Sequence, residues 1–194
     1  IPTTAGTGSE VGRATVVVHP TSNEKMVIFH PKLMPAWALV DPKLMVSLPA
    51  GLTAATGLDA LTHNIEAFLA KGYHPMAEGI ALEAIRMCSI SLVDAVLDGS
   101  DLDARANMAA ASLMGAVAFQ KGLGVTHSLA HPLSTIAGLH HGLANGILLP
   151  YTMRFNGDRK PEPFLRLAEA VGLPAKNLSA QQAVDAFVSW VSQL

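Results

Sequence analysis

The chain has 194 residues, half of them hydrophobic, and only 14% are charged. The net charge of −2 gives no electrostatic reason to expect binding to nucleic acid or to an anionic membrane. No apolar run reaches the roughly 18 residues that a membrane helix needs, so we expect neither nucleic acid nor a membrane as partner. The single cysteine, Cys88, excludes an internal disulfide, and we expect it in the core of a cytoplasmic protein.

The first 48 residues predict a β-hairpin and a crossover segment. Two runs rich in β-branched residues, 14–19 and 25–30, flank a turn over 20–24. A short apolar run follows at 38–40. This is too little sheet for an independent domain, and the chain begins without an initiator Met or a signal peptide. We therefore expect it to be part of a longer protein.

From residue 49 onward the pattern is helical. Pro75 suits the first turn of a helix, and Asp101 or Asp103 suits a cap. The apolar spacing and the Gly and Pro breaks predict helices over 53–70, 75–97, 101 or 103 to about 120, 125–136, 142–153, 161–171 and 179–194.

Two pairs of potential metal ligands are spaced four residues apart, which places each pair on one face of a helix. They are Asp59 with His63, and His127 with His131. The neighbours of Asp59 and His63 are apolar, so both side chains should point inward, where a divalent cation is a strong partner. Imidazole and carboxylate ligands suit Fe²⁺ or Zn²⁺. Spacing alone also fits an ordinary pair of polar groups, and this is not the zinc-protease helix, because Ser128 follows His127.

Three longer motifs resemble those of the iron-containing alcohol dehydrogenase family. Residues 1–10 resemble its Pro-Thr-Thr-x-Gly-Thr-Gly-Ser-Glu segment, and residues 57–66 its Gly-Met-Asp-Ala-Leu-Thr-His-Ala-Ile-Glu signature. Residues 127–156 are similar to its second signature through His-Pro-Leu, His-Gly-Leu-Ala-Asn-Gly-Ile-Leu-Leu-Pro and Arg-Phe-Asn. The motifs occur in the order found in the family.

The resemblance implies a role for each matched residue. The four metal ligands of the family correspond to Asp59, His63, His127 and His141. The residues that line NAD or NADP correspond to Thr3, Thr4, Thr7 and Lys25. A catalytic histidine near the nicotinamide, which is not a metal ligand, corresponds to His131, and we expect it to relay a proton or position the ring.

The resemblance also implies a mainly α fold. Residues 49–194 would form the all-helical metal-binding catalytic domain of a dehydroquinate-synthase-like, iron alcohol dehydrogenase fold. Residues 1–48 would be the remnant of the dinucleotide-binding α/β domain. Family members are longer and carry a Gly-Gly-Gly-Ser stretch for the cofactor pyrophosphate, which does not occur here.

The implied activity is that of an NAD(P)-dependent alcohol dehydrogenase. Hydride would pass between an alcohol or aldehyde and NAD or NADP, with Fe²⁺ or Zn²⁺ polarising the alcohol oxygen. A homodimer is possible, given the apolar composition. One alternative is a related polyol oxidoreductase or maleylacetate reductase, and a second is a non-catalytic helical metal-binding or dimerisation domain. A metal-dependent hydrolase is disfavoured, because no general-base Glu adjoins the histidine pair.

Overall fold

A computed structural model describes residues 1–21 and 25–194, and the side chain of Lys25 lies outside the described part. The predicted mainly α fold is confirmed. A two-stranded antiparallel sheet, β1 (Ala14–Val18) and β2 (Lys25–Phe29), precedes the helices. Within the described residues the helices are α1 (Ala50–Leu69), α2 (Pro75–Leu97), α3 (Leu102–Ala118), α4 (Val125–Ile136), α5 (His141–Arg159), α6 (Pro163–Ala170) and α7 (Ala180–Val191).

The predicted hairpin is present, and each strand ends one residue earlier than expected. Ala14 lies opposite Phe29, and Val18 lies opposite Lys25. The apolar side chains on both faces are exposed, with Phe29 at 67% on one face and Ile28 at 45% on the other. The predicted turn includes residues 22–24, which lie outside the described part.

Local capping fixes several helix ends. Asp101, one of the two candidate caps, accepts hydrogen bonds from the backbone N–H groups of Asp103 and Ala104 at the start of α3. Pro75 occupies the first turn of α2, where its missing N–H costs nothing. A capping box opens α7, in which Ser179 and Gln182 each bond the backbone of the other.

The fifth helix is longer than predicted, because α5 continues from Met153 to Arg159. The residues that follow Met153 include Asn156, Gly157 and Asp158, which are residue types typical of turns. Gly157 stays helical because it packs directly against Val184 of α7, and a β-carbon there would overlap that side chain. Tertiary packing thus overrides the local turn signal.

Helix α1 is the centre of the core. It packs against α2, α3 and α5, and residues such as Leu61 and Ile65 are fully buried. Cys88 on α2 is buried in the same core, as predicted. Because α1 is surrounded, its polar side chains lie inside the protein and need partners.

Helices α6 and α7 close one side of the core, where the rings of Phe164 and Phe187 meet edge to face at 5.7 Å. No single helix in the described residues is long and apolar enough to span a membrane. Two neighbouring segments, Leu102–Lys121 and Val125–Ile136, have the length and composition of a membrane span only when taken together, and the pair is bent by 107°.

Candidate metal centre

One face of α1 carries three buried polar side chains. Asp59, His63 and Glu66 follow each other at spacings of four and three residues, which align them along one side of the helix. They are 5%, 4% and 1% exposed. The predicted inward orientation of Asp59 and His63 is therefore observed.

Helices α4 and α5 bring two histidines to the Asp59 carboxylate. Asp59 Oδ1 lies 3.6 Å from Nε2 of His127 and 3.6 Å from Nε2 of His141. It lies 3.8 Å from Nδ1 of His63. The structure thus brings together the four residues that the family resemblance implies as ligands. Three of them are buried, whereas the side chain of His141 is 30% exposed.

The donor atoms fit a divalent first-row ion. Nδ1 of His63 is buried without a hydrogen-bond partner among the described residues, so it is free to bind a cation. A tetrahedral ion about 2.1 Å from each ligand keeps neighbouring ligand atoms roughly 3.4 Å apart. The separations from Asp59 Oδ1 to the three histidines, 3.6–3.8 Å, are within a few tenths of an ångström of that spacing. The ligand atoms of Asp59, His63 and His127 all lie within 4.8 Å of one another, and His141 approaches this group through Asp59.

Electrostatics within the cluster favour an anionic Asp59 and a neutral His63. Burial would raise the pKa of Asp59, but the facing histidines hold it well below its usual range. Burial is the main cause that lowers the pKa of His63 to about 4. A carboxylate and a neutral imidazole are the forms in which these side chains bind a metal.

His127 differs from His63, because it lies between two carboxylates. Burial would lower its pKa, but hydrogen bonding and charge from Asp59 and Glu66 raise it to about 9. In the absence of a metal, His127 thus holds a proton at neutral pH that a cation must displace.

Glu66 is a site residue that was not predicted from the sequence. Its carboxylate accepts a 2.7 Å hydrogen bond from Nδ1 of His127, and it also accepts from backbone N–H groups at the start of α4. A sequence signal existed, because Glu66 is seven residues from Asp59 and three from His63, on the same helix face.

Asn145 was missed as well, and it is fully buried on α5. Its Nδ2 donates a 2.7 Å hydrogen bond to Asp59 Oδ1, and lies 3.2 Å from His127 Nε2 and 3.3 Å from His141 Nε2. It stands four residues after His141, one turn further along the same helix. Only the packing of α5 against α1 reveals this contact.

His131, the predicted catalytic histidine, lies beside the cluster on α4. Its ring centroid is 4.9 Å from that of His141 and 6.3 Å from that of His127. It is exposed, unlike the buried His127. This position on the open side of the cluster separates it from the ligands.

The Thr- and Gly-rich loop over residues 3–8 approaches the cluster through Thr7, whose hydroxyl donates to Asp59 Oδ2 at 3.3 Å. Thr3 and Thr4 are exposed in the same loop. Gly8 adopts a positive φ of 66°, and a β-carbon there would overlap the backbone of Ser112 on α3. The absence of a side chain at Gly8 therefore allows the loop to pack closely against α3. The Lys25 side chain lies outside the described residues.

Family comparisons match nearly the whole chain. Residues 53–194 match the model of the Fe-containing alcohol dehydrogenase family, C-terminal part. Residues 1–42 match the model described as iron-containing alcohol dehydrogenase.

Three curated relatives are named as dehydrogenases. The chain is 46% identical to 4-hydroxybutyrate dehydrogenase of Cupriavidus necator, an alignment that covers 90% of the chain and 48% of that enzyme. It is 41% identical to 1,3-propanediol dehydrogenase of Klebsiella pneumoniae, covering all of the chain and 50% of the enzyme. It is 42% identical to NAD-dependent methanol dehydrogenase of Bacillus methanolicus, covering 95% and 49%.

A solved structure agrees with the fold. The crystal structure of 1,3-propanediol oxidoreductase superposes with a TM-score of 0.95 at 41% identity, covering 98% of this chain and 50% of that one. The chain thus spans about half the length of the relatives it matches.

Proposed function

The chain belongs to the iron-containing alcohol dehydrogenase family, and from that membership we propose that the protein catalyses hydride transfer between an alcohol or aldehyde and NAD(P). The observation that carries the proposal is the convergence of three imidazoles on Oδ1 of Asp59. Small alcohols are the favoured substrates, since the relatives are named for methanol, 1,3-propanediol and 4-hydroxybutyrate.

The proposed metal ligands are Asp59, His63, His127 and His141. A bound Fe²⁺ or Zn²⁺ would supply Lewis acidity toward the alcohol oxygen. Among the proposed ligands Asp59 supplies one negative charge, and Asp59, His63 and His127 are buried. Since His141 is the partly exposed member, the substrate would approach from its side.

His131 is proposed to hold or relay a proton on this open side, and it is not proposed as a ligand. Its ring lies against that of His141, at the edge of the cluster. Thr7 is proposed to connect cofactor binding with the metal centre, because its hydroxyl contacts Asp59 and its loop is exposed. Thr3, Thr4 and Lys25 are proposed to contact NAD or NADP.

A boundary near residue 48 between a cofactor-domain remnant and the metal-binding domain belongs to the same proposal. We also propose a cytoplasmic location, inferred from the lone Cys88, and a homodimer, inferred from the apolar composition. A second candidate function is a non-catalytic metal-binding or dimerisation domain. The exposed apolar hairpin favours it.

The test is NAD(P)H oxidation with a panel of small aldehydes by protein loaded anaerobically with Fe²⁺ or Zn²⁺. Turnover that is lost in His127→Ala and kept in His140→Ala, a neighbouring exposed histidine outside the cluster, supports the dehydrogenase. Metal binding without NAD(P)H binding or turnover contradicts it and supports the second candidate. An H131A variant with full activity would remove His131 from the reaction.

A further inference from the structure

The geometry points to Glu66 as a positioning residue that fixes the ring of His127 so that its Nε2 faces the metal centre. The inference deepens the proposed metal centre and rests on it. It gives a role to a buried carboxylate that is not one of the four proposed ligands.

The Glu66 carboxylate is enclosed by hydrogen-bond donors from α4 and the residue that precedes it. Oε2 accepts from the His127 Nδ1 at 2.7 Å and from the backbone N–H groups of Gly124 and His127 at 3.0 and 3.3 Å. Oε1 accepts from the backbone N–H of Thr126 at 2.6 Å. Helix N-termini present such free N–H groups, and they attract an anion.

The bond to Nδ1 determines what the other ring nitrogen does. An imidazole that donates its Nδ1–H to a carboxylate presents the lone pair of Nε2 to a metal. In this structure Nε2 of His127 is the nitrogen directed at Asp59, 3.6 Å from Oδ1. The contact with Glu66 therefore selects both the orientation and the ligating atom of His127.

The surrounding backbone is shaped to admit this carboxylate. A β-carbon on Gly124 would lie 2.7 Å from Oε1 of Glu66. Gly124 has a φ of −131°, which any residue adopts, so space and not backbone conformation calls for glycine here. Glu66 lies on α1 together with the proposed ligands Asp59 and His63. This one helix therefore fixes the position of those two ligands relative to Glu66, which orients the third ligand, His127.

A purely structural role, in which Glu66 only anchors the start of α4, is the competing explanation. Thr126→Val provides the matched control. It removes the 2.8 Å bond between the Thr126 and Thr152 hydroxyls, which also anchors this helix start, and the hydrogen bond of the Thr126 side chain to Glu66. It leaves the contact of Glu66 with Nδ1 of His127 in place. A variant that merely loosens α4 should behave like Thr126→Val.

The experiment measures Zn²⁺ affinity by chelator competition, and the visible absorption of bound Co²⁺, in the parent, Glu66→Gln and Thr126→Val. We expect Glu66→Gln to bind Zn²⁺ about 10- to 100-fold more weakly, as for other residues that orient a ligand, and to change the Co²⁺ spectrum. We expect Thr126→Val to keep the parent's affinity and spectrum, even with a lower melting temperature.

Parent-like affinity and spectrum in Glu66→Gln would overturn the inference, as would an equal loss in Thr126→Val. If Glu66→Gln does not fold, Glu66→Asp replaces it, because a shorter carboxylate keeps the negative charge near the start of α4 but withdraws from Nδ1. An unchanged Glu66→Asp would then overturn the inference. A parent that binds neither ion would overturn the proposed centre and this inference together, whereas failure of Glu66 alone leaves the centre standing.

Discussion

At the scale of single residues, His127 links the protonation of the cluster to metal binding. It contacts Asp59 on one side and Glu66 on the other, and these carboxylates raise its pKa to about 9 against the effect of burial. A cation that binds Nε2 must displace a proton at any pH below that value.

Apparent metal affinity should therefore rise with pH. Below pH 9 each unit of pH raises the fraction of His127 that is unprotonated by up to about tenfold, and the apparent affinity for Zn²⁺ grows by the same factor. His63, with a pKa near 4, is already neutral above pH 5 and adds nothing to this slope. Chelator competition at about pH 6, 7 and 8 measures it, with the chelator's own titration as control. A flat profile would contradict protonation of His127 in the free protein.

The same residues show what a sequence can predict about the site. Asp59 and His63 are one helical turn apart, so their spacing alone placed them on one face of α1. His141 has no such relation to Asp59, and only a family motif suggested it before the packing of α5 on α1 was known. Asn145 could not be inferred from spacing to Asp59, because its contact depends on that same packing.

At the scale of elements, the position of α5 depends on small residues at its contact with α1. A β-carbon on Gly142 would overlap the carbonyl of Ala55, and one on Gly146 would lie 2.6 Å from a Leu58 methyl group. Gly142 directly follows His141, so the closeness of the two helices sets where this ligand lies.

Gly142→Ala should therefore weaken both the fold and the metal centre. Overpacking against backbone costs about 1–3 kcal/mol of unfolding free energy, and relief requires α5 to move away from α1 with His141. The matched control is Gly79→Ala in α2, where a β-carbon meets nothing within 4 Å. Helix propensity predicts that this change raises the free energy of unfolding by about 0.5–1 kcal/mol. Urea unfolding and Zn²⁺ competition measure the two effects, and equal stability of both variants would contradict the packing argument.

Helix boundaries were predictable where local chemistry decides them. The bounds of α2 and α4 match the sequence prediction, because Pro75, Gly124 and the residues after Leu97 act locally. The end of α5 was not predictable, since Gly157 remains helical through its contact with Val184 of α7. Such a contact lies between residues far apart in the sequence.

At the scale of the whole molecule, the helices and the hairpin differ in how they are supported. The helices enclose a core around α1, whereas both faces of the hairpin expose apolar side chains. A two-stranded sheet is marginally stable without a packed face.

Backbone amide protons of β1 and β2 should thus exchange much faster than those of α1 in the 194-residue chain. Hydrogen–deuterium exchange followed by mass spectrometry on hairpin and α1 peptides measures the difference. Equal protection would show that the hairpin faces are covered in solution, and would contradict the marginal stability expected of the exposed hairpin.

The most direct test of the central claim is the metal content of the purified protein after anaerobic loading with Fe²⁺ or Zn²⁺, compared with His141→Ala and His140→Ala. His141 is the least buried proposed ligand, so its removal should harm the fold least, and its exposed neighbour His140 is the control. The account predicts near-stoichiometric metal in the parent and in His140→Ala, and much less in His141→Ala. No metal in the parent, or equal metal in His141→Ala, would contradict it.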